Sequence, residues 1–277
     1  MNIVTGGCSF SNTVDCVDYT RFKMEHDSYQ LDNYKSWALH LEDIVPDCKV
    51  YNTAKAGVGN GYISRAVIYK VNELLEQYKK PDYVFIQLSS CDRKELLVNI
   101  DDATSQTDKN IITHFIPEFD IKDVRYNKDV KLKNNNMIWL KHSYEEDSLM
   151  KHWYKYYSNL EESYLRTLEH ILRLQWFFKV NDINYKFFCG WNIFKDLPKI
   201  PRNPIELRHL WKMIDWDNFW FHRKFGGITQ WSDDNLPFKD RYVTGEILNE
   251  EGFPLDQHPS NIAHREFAKQ VVSKWIK

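Results

Sequence analysis

Residues 83–88 read Tyr83-Val84-Phe85-Ile86-Gln87-Leu88, an almost continuous apolar run that begins directly after Pro81-Asp82. A strand with one wet face alternates apolar and polar residues. A strand that is apolar throughout is buried on both faces, as in a parallel sheet with helices above and below. Towards the N-terminus, Ile63, Val67, Val71 and Leu74 recur at helical spacing and predict a helix to about Tyr78. Before it, Lys49-Val50-Tyr51-Asn52 reads as a short strand closed by Ala56-Gly57-Val58-Gly59-Asn60-Gly61. Trp37, Leu39, Leu41 and Ile44 suggest a short helix, and Asn2-Ile3-Val4 a first buried strand ending at Gly6-Gly7. Between these two, residues 8–33 are polar and mixed and read as a loop. Strand, helix, strand, helix, strand is the pattern of an α/β fold with a parallel sheet.

Towards the C-terminus, Ser158-Asn159-Leu160-Glu161 has capping-box spacing, and Leu165, Leu168, Leu172 and Trp176 follow on one helical face. Tyr185-Lys186-Phe187-Phe188-Cys189 is a fourth strand. Phe267, Val271 and Trp275 define a last helix for which Ser260 is the expected N-cap. Two segments fall outside this alternation: residues 97–150, charged and asparagine-rich, and residues 195–255, with scattered Pro, Gly and Trp. Both read as insertions into a single domain of 277 residues.

Composition narrows the classes of function. Hydrophobic residues make up 43% and charged residues 27%, as in a globular chain. A net charge of −2 gives no electrostatic ground for a nucleic-acid partner or an anionic membrane. No apolar run approaches the roughly 20 residues needed to span a bilayer. Met1-Asn2-Ile3-Val4 runs into glycines without the basic and apolar regions of a signal peptide. The cysteines are five, Cys8, Cys16, Cys48, Cys91 and Cys189, an odd number with no C-x-x-C pair, which argues against a disulfide framework or zinc knuckle and for a reducing compartment. The expected location is cytoplasmic.

Three segments carry chemistry. In Gly6-Gly7-Cys8-Ser9-Phe10-Ser11, a serine follows the first strand on a turn that glycines permit. In open α/β sheets, sites form beyond the carboxyl ends of strands. The motif is G-x-S-x-S, so the G-x-S-x-G nucleophile elbow is not matched, and a plain turn whose serine caps a helix is the bland alternative. In Asp256-Gln257-His258-Pro259-Ser260, an acid and a histidine share one short loop. A serine nucleophile needs a base within hydrogen-bond reach, and that base needs a carboxylate to hold its tautomer. An exposed histidine in an ordinary turn is the alternative. A metal site from Asp256, His258 and His264 lacks a further clustered ligand. In residues 52–61, a glycine after the second strand can present its N–H to the same crevice, as an oxyanion hole requires.

Taken together these segments resemble the SGNH hydrolases, also called GDSL-type esterases. Gly7-Cys8-Ser9-Phe10-Ser11 is similar to that family's first block, with Cys8 where Asp is usual. Asn52-Thr53-Ala54-Lys55-Ala56-Gly57 is similar to the second and Asp256-Gln257-His258-Pro259 to the last. The resemblance covers roughly 150 residues, the sheet and both ends, and not the insertions. It implies a three-layer α/β sandwich with a central, mostly parallel sheet, flavodoxin-like, to which the large aromatic-rich insertions of this chain are added. It implies Ser9 as nucleophile, His258 as base and Asp256 as its partner, with the N–H groups of Ser9 and Gly57 as oxyanion donors and no cofactor. Two departures stand out. The third block, Gly-x-Asn-Asp in the family, aligns with Ser89-Ser90-Cys91-Asp92, so the Asn role falls vacant at Cys91, with Ser89, Ser90 or the guanidinium of Arg93 as replacements. The acid also stands one residue closer to the histidine than the family's Asp-x-x-His.

Aromatic residues, 15% of the chain, concentrate between about 137 and 231. They are read either as a second hydrophobic cluster or subunit interface, or as a face for sugars or acyl groups. Asn60, Trp220 and His222 are the expected substrate contacts, with Arg223 and Lys224 beside them as possible anion ligands. The expected function is hydrolysis of a small acyl ester, with an O-acetylated sugar or glycan the favoured class. The alternatives are an O-acyltransferase and an inactive glycan-binding or structural protein on the same scaffold. A Ser-Ser-x-x-Arg third block is similar to divergent phage-encoded members of the family, which would imply a virion-associated location.

Overall fold

The computed structural model describes residues 1–12, 34–99, 137–140, 149–196 and 205–276. Most of the loop expected over residues 8–33, and residues 100–136 and 141–148 of the first expected insertion, lie outside the described residues. In chain order the elements are β1 (Asn2–Gly6), α1 (Trp37–Ile44), β2 (Lys49–Asn52), α2 (Asn60–Glu76), β3 (Tyr83–Leu88), β4 (Leu96–Asn99), β5 (Met137–Leu140), α3 (Leu149–Tyr156), α4 (Leu160–Val180), β6 (Asn184–Cys189), α5 (Ile205–Met213), β7 (Phe219–Trp220), α6 (Ile228–Asn235), α7 (Phe238–Arg241) and α8 (Asn261–Gln270).

β1, β2, β3, β6 and β7 form one sheet in the order β2-β1-β3-β6-β7, and every pair is parallel. Numbered among themselves these strands run 2-1-3-4-5, a doubly wound order whose connections reverse direction between β1 and β3. β3 lies third of five. Val84, Phe85 and Ile86 are 0% exposed, so its apolar run is buried on both faces.

The helices divide into two groups. α1 packs on α8, which also meets α6, and separately α2 packs on α4, which meets α5. This grouping matches a three-layer α/β sandwich. Packing between helix and sheet is largely aromatic. Phe188 of β6 contacts Trp37 of α1, Phe267 of α8 and Trp275, at ring-centroid distances of 5.0, 5.4 and 5.6 Å.

Sequence reading and structure differ at several elements. The cap of α4 is Asn159, whose side chain accepts from Glu162 N–H at 2.8 Å, so the capping pattern is shifted one residue from Ser158. The buried face of α4 runs through Leu168, Ile171, Leu172 and Phe178, and Trp176 points outward at 51% exposure. α8 begins at its expected cap, Ser260, but ends at Gln270, and Val272–Trp275 continue as a 3-10 turn. Residues 195–255 are more than an insertion, since they contain β7, the edge strand of the main sheet. The first segment, too, contains regular structure: β4 pairs antiparallel with β5. Among the described residues, no helix is long and apolar enough to cross a membrane.

Candidate active site

Beyond β1 the chain turns sharply, with Ser11 N–H donating to Cys8 C=O at 3.0 Å. Gly7 is obligatory here, because a Cβ on it would lie 2.3 Å from Ser11 Oγ. The turn is gripped from two strands. Gln87, fully buried on β3, accepts from Cys8 N–H at 3.1 Å and from Ser11 Oγ at 3.1 Å. Ser11 Oγ in turn accepts from the Trp37 indole at 2.7 Å. Asn52, at the end of β2, donates to Ser11 C=O at 2.7 Å and accepts from Thr5 Oγ1 at 3.0 Å. Ser9 therefore sits on a turn whose neighbours on both sides are fixed.

The acid–histidine loop is fixed independently. Val243 N–H donates to His258 C=O at 2.9 Å, and Leu255 N–H to Ile247 C=O at 3.1 Å. Ser260 accepts from Ala263 N–H at 3.0 Å, which ties the loop to the start of α8. His258 Nδ1 then lies 2.6 Å from Asp256 Oδ1, and Nε2 lies 2.8 Å from Ser9 Oγ. With Nδ1 donating to the carboxylate, Nε2 is left as acceptor for the serine hydroxyl, the tautomer a general base needs. The short Asp-x-His spacing is accommodated because Asp256 Oδ1 also accepts the backbone N–H of His258 at 2.8 Å, folding the acid back onto its own loop.

These residues line a cavity of about 640 Å³, together with Phe10, Arg93, Trp191, Asn192, Lys195, Gln230 and Asn249, among others. Of the side chains expected to replace the third-block Asn, Arg93 lines the cavity, whereas Ser90 does not. Arg93 donates to Ser89 Oγ at 3.2 Å and lies over the Trp191 ring at 5.4 Å. Cys91 is turned inward, its thiol directed to Ile193 C=O at 3.6 Å and pushed up to about 12 by burial. It takes no part in the cavity. Gly57 adopts φ +73° in the turn before α2, a conformation that favours glycine, and is not a lining residue.

The expected substrate contacts lie away from this cavity. Asn60 is buried, donates to Ser89 C=O at 3.1 Å and accepts Ser89 N–H at 2.8 Å, so it holds the end of β3. Trp220 packs on Phe267 and Trp275, and His222 pairs with Asp234 at 2.5 Å; neither lines the cavity. Arg223 likewise pairs with Asp234, at 2.6 Å. Four aromatic residues of 205–231 form a hydrophobic cluster around fully buried Phe194, with Trp211 at 5.6 Å and Trp216, Phe221 and Phe225 at 6.1–6.3 Å. His264 does not converge with Asp256 and His258, because its Nε2 meets Tyr34 Oη at 2.8 Å.

Sequence reasoning missed Gln87, Trp191 and Lys195. Gln87 alone left a signal, as an amide inside an apolar strand with every chance of being buried. Glu95, also missed, accepts Gly59 N–H at 2.5 Å and Tyr62 N–H at 3.2 Å, capping an α2 that has no side-chain cap of its own. Burial pushes its carboxyl above the ordinary range. The chain matches no known family model, and no curated protein matches it in sequence.

Proposed function

We propose that the protein is a serine hydrolase of carboxylic esters, a divergent relative of the SGNH hydrolases, acting on a small acyl ester such as an O-acetylated sugar or glycan. The observation that carries this reading is the unbroken chain Ser9 Oγ–His258–Asp256, at 2.8 and 2.6 Å, open to a cavity. Ser9 Oγ attacks the ester carbonyl while His258 Nε2 takes its proton. The tetrahedral oxyanion is held by the N–H of Ser9; Gly57, which does not line the cavity, is not assigned that role. The bond to the alcohol oxygen breaks as His258 returns the proton to it, leaving an acyl-Ser9. Water, deprotonated by His258, then releases the acid and restores the serine. Asp256 holds the imidazole and stabilises its protonated form.

A purely sugar-binding protein needs no aligned base beside its serine, so the direct Ser9–His258 contact favours catalysis over that alternative. Hydrolysis and acyl transfer to a sugar hydroxyl share every step but the final acceptor. The decisive experiment is turnover of p-nitrophenyl acetate together with fluorophosphonate labelling of Ser9. The expected result is labelled, active wild type and an unlabelled Ser9→Ala protein without turnover. A wild type that does neither, or a Ser9→Ala variant with full turnover, overturns the reading.

A further inference from the structure

The cavity beside the triad carries charge that ester hydrolysis does not require. Arg93 and Lys195 both line it, and the one carboxylate among the described lining residues, Asp256, is engaged by His258. Among the described residues, the Arg93 guanidinium meets neutral groups, Ser89 Oγ and the Trp191 ring. Lys195 is exposed and forms no ion pair among the described residues.

Resting on the esterase reading above, we propose that the alcohol portion of the ester carries an anionic oxygen group, bound by Arg93 and Lys195. The planar fork of Arg93 suits the paired oxygens of a carboxylate or phosphate, and Lys195 adds a point charge at the rim. The acyl group then lies at Ser9 and the charged end at the cation pair. An acetylated acidic sugar has this layout. An acetylated sugar phosphate presents the same oxygens.

The test compares kcat/KM for three acetyl esters of matched sugars, one neutral, one with a carboxylate and one with a phosphate. A preference of about tenfold or more for a charged ester is expected, as two charge-assisted contacts imply. The better of the two charged esters identifies the anion. Lys195→Glu should abolish the preference and Lys195→Arg keep it. Equal rates on neutral and charged esters, or a preference untouched by Lys195→Glu, overturn the proposal. Calorimetry on the Ser9→Ala protein separates this inference from the esterase reading. Salt-sensitive, Lys195-dependent binding of the charged sugar in a protein whose wild type cleaves no ester keeps the anion site and removes the hydrolase. Cleavage of p-nitrophenyl acetate without any preference for charge does the reverse.

Discussion

Asp256 Oδ1 accepts two hydrogen bonds from His258, one from the backbone N–H at 2.8 Å and one from ring Nδ1 at 2.6 Å. The acid thus aims the imidazole and shapes the loop that carries it. A carboxylate one residue nearer than in the Asp-x-x-His pattern of the SGNH hydrolases still reaches Nδ1, because the turn closes on its own donor.

Asp256→Asn preserves the acceptor for the backbone N–H but loses the charge and favours the wrong imidazole tautomer. The expected outcome is a loss of about 10⁴-fold in kcat with little change in thermal stability, by analogy with the same change in other serine triads. Steady-state kinetics and a melting curve read the two effects. A variant that melts far below wild type would mean that Asp256 acts mainly on the loop.

Gln87→Leu removes the acceptor shared by Cys8 N–H and Ser11 Oγ in a fully buried position. Two orphaned donors cost on the order of 3 kcal/mol, and the nucleophile turn loses its anchor. Urea unfolding should show the destabilisation. Activity per folded molecule should fall as well, since a misplaced Ser9 loses its alignment with His258.

Phe194→Ala should cost about 3–5 kcal/mol, as for other large core aromatics, because Phe194 is the hub of the Trp211–Trp216–Phe221–Phe225 cluster. If these rings serve packing, kcat/KM at a temperature where the variant is folded stays within a few-fold of wild type. A selective loss of sugar binding with unchanged stability would restore the substrate-face reading.

His264 is fully buried, and its pKa is lowered to about 3 by burial, with His40 and His258 adding to the effect. Tyr34 Oη donates to Pro259 C=O, so His264 Nε2 donates to Tyr34, and a second proton on Nδ1 finds no acceptor. The folded pKa lies below the unfolded one, so stability is full above about pH 6.5 and is lost as pH falls towards 3. At pH 5 the loss from this group is about 2 kcal/mol. Chemical unfolding at pH 7.5 and 5.0 should show it, and His264→Gln should reduce the dependence, leaving the part due to His170, whose pKa burial also lowers to about 3. A wild type equally stable at both values contradicts the assignment.

Much of this molecule was written in short-range pattern. The apolar positions of α2 at spacings of four and three, the run at Tyr83–Leu88 and the glycine turn at Ser9 each follow from local rules of burial and backbone freedom, and they sufficed for an α/β fold and for a candidate nucleophile. β7 was not legible, because Phe219-Trp220 is two residues long and becomes a strand only by pairing with Phe187 and Phe188. The same holds for Trp220, whose ring has no intrinsic reason to choose core over ligand.

The sequence by itself determined the parallel sheet and the chemical identity of Ser9, Asp256 and His258, since periodicity and residue type are local properties. Only the tertiary structure decided that Ser9 and His258 meet across 249 positions, that Gln87 and Asn52 hold the nucleophile turn, and that Arg93 and Lys195 share a cavity with it. Hydrogen-bond reach is about 3 Å, and no pattern along a chain specifies which distant segments come within it. That is settled by which faces the helices and strands bury together.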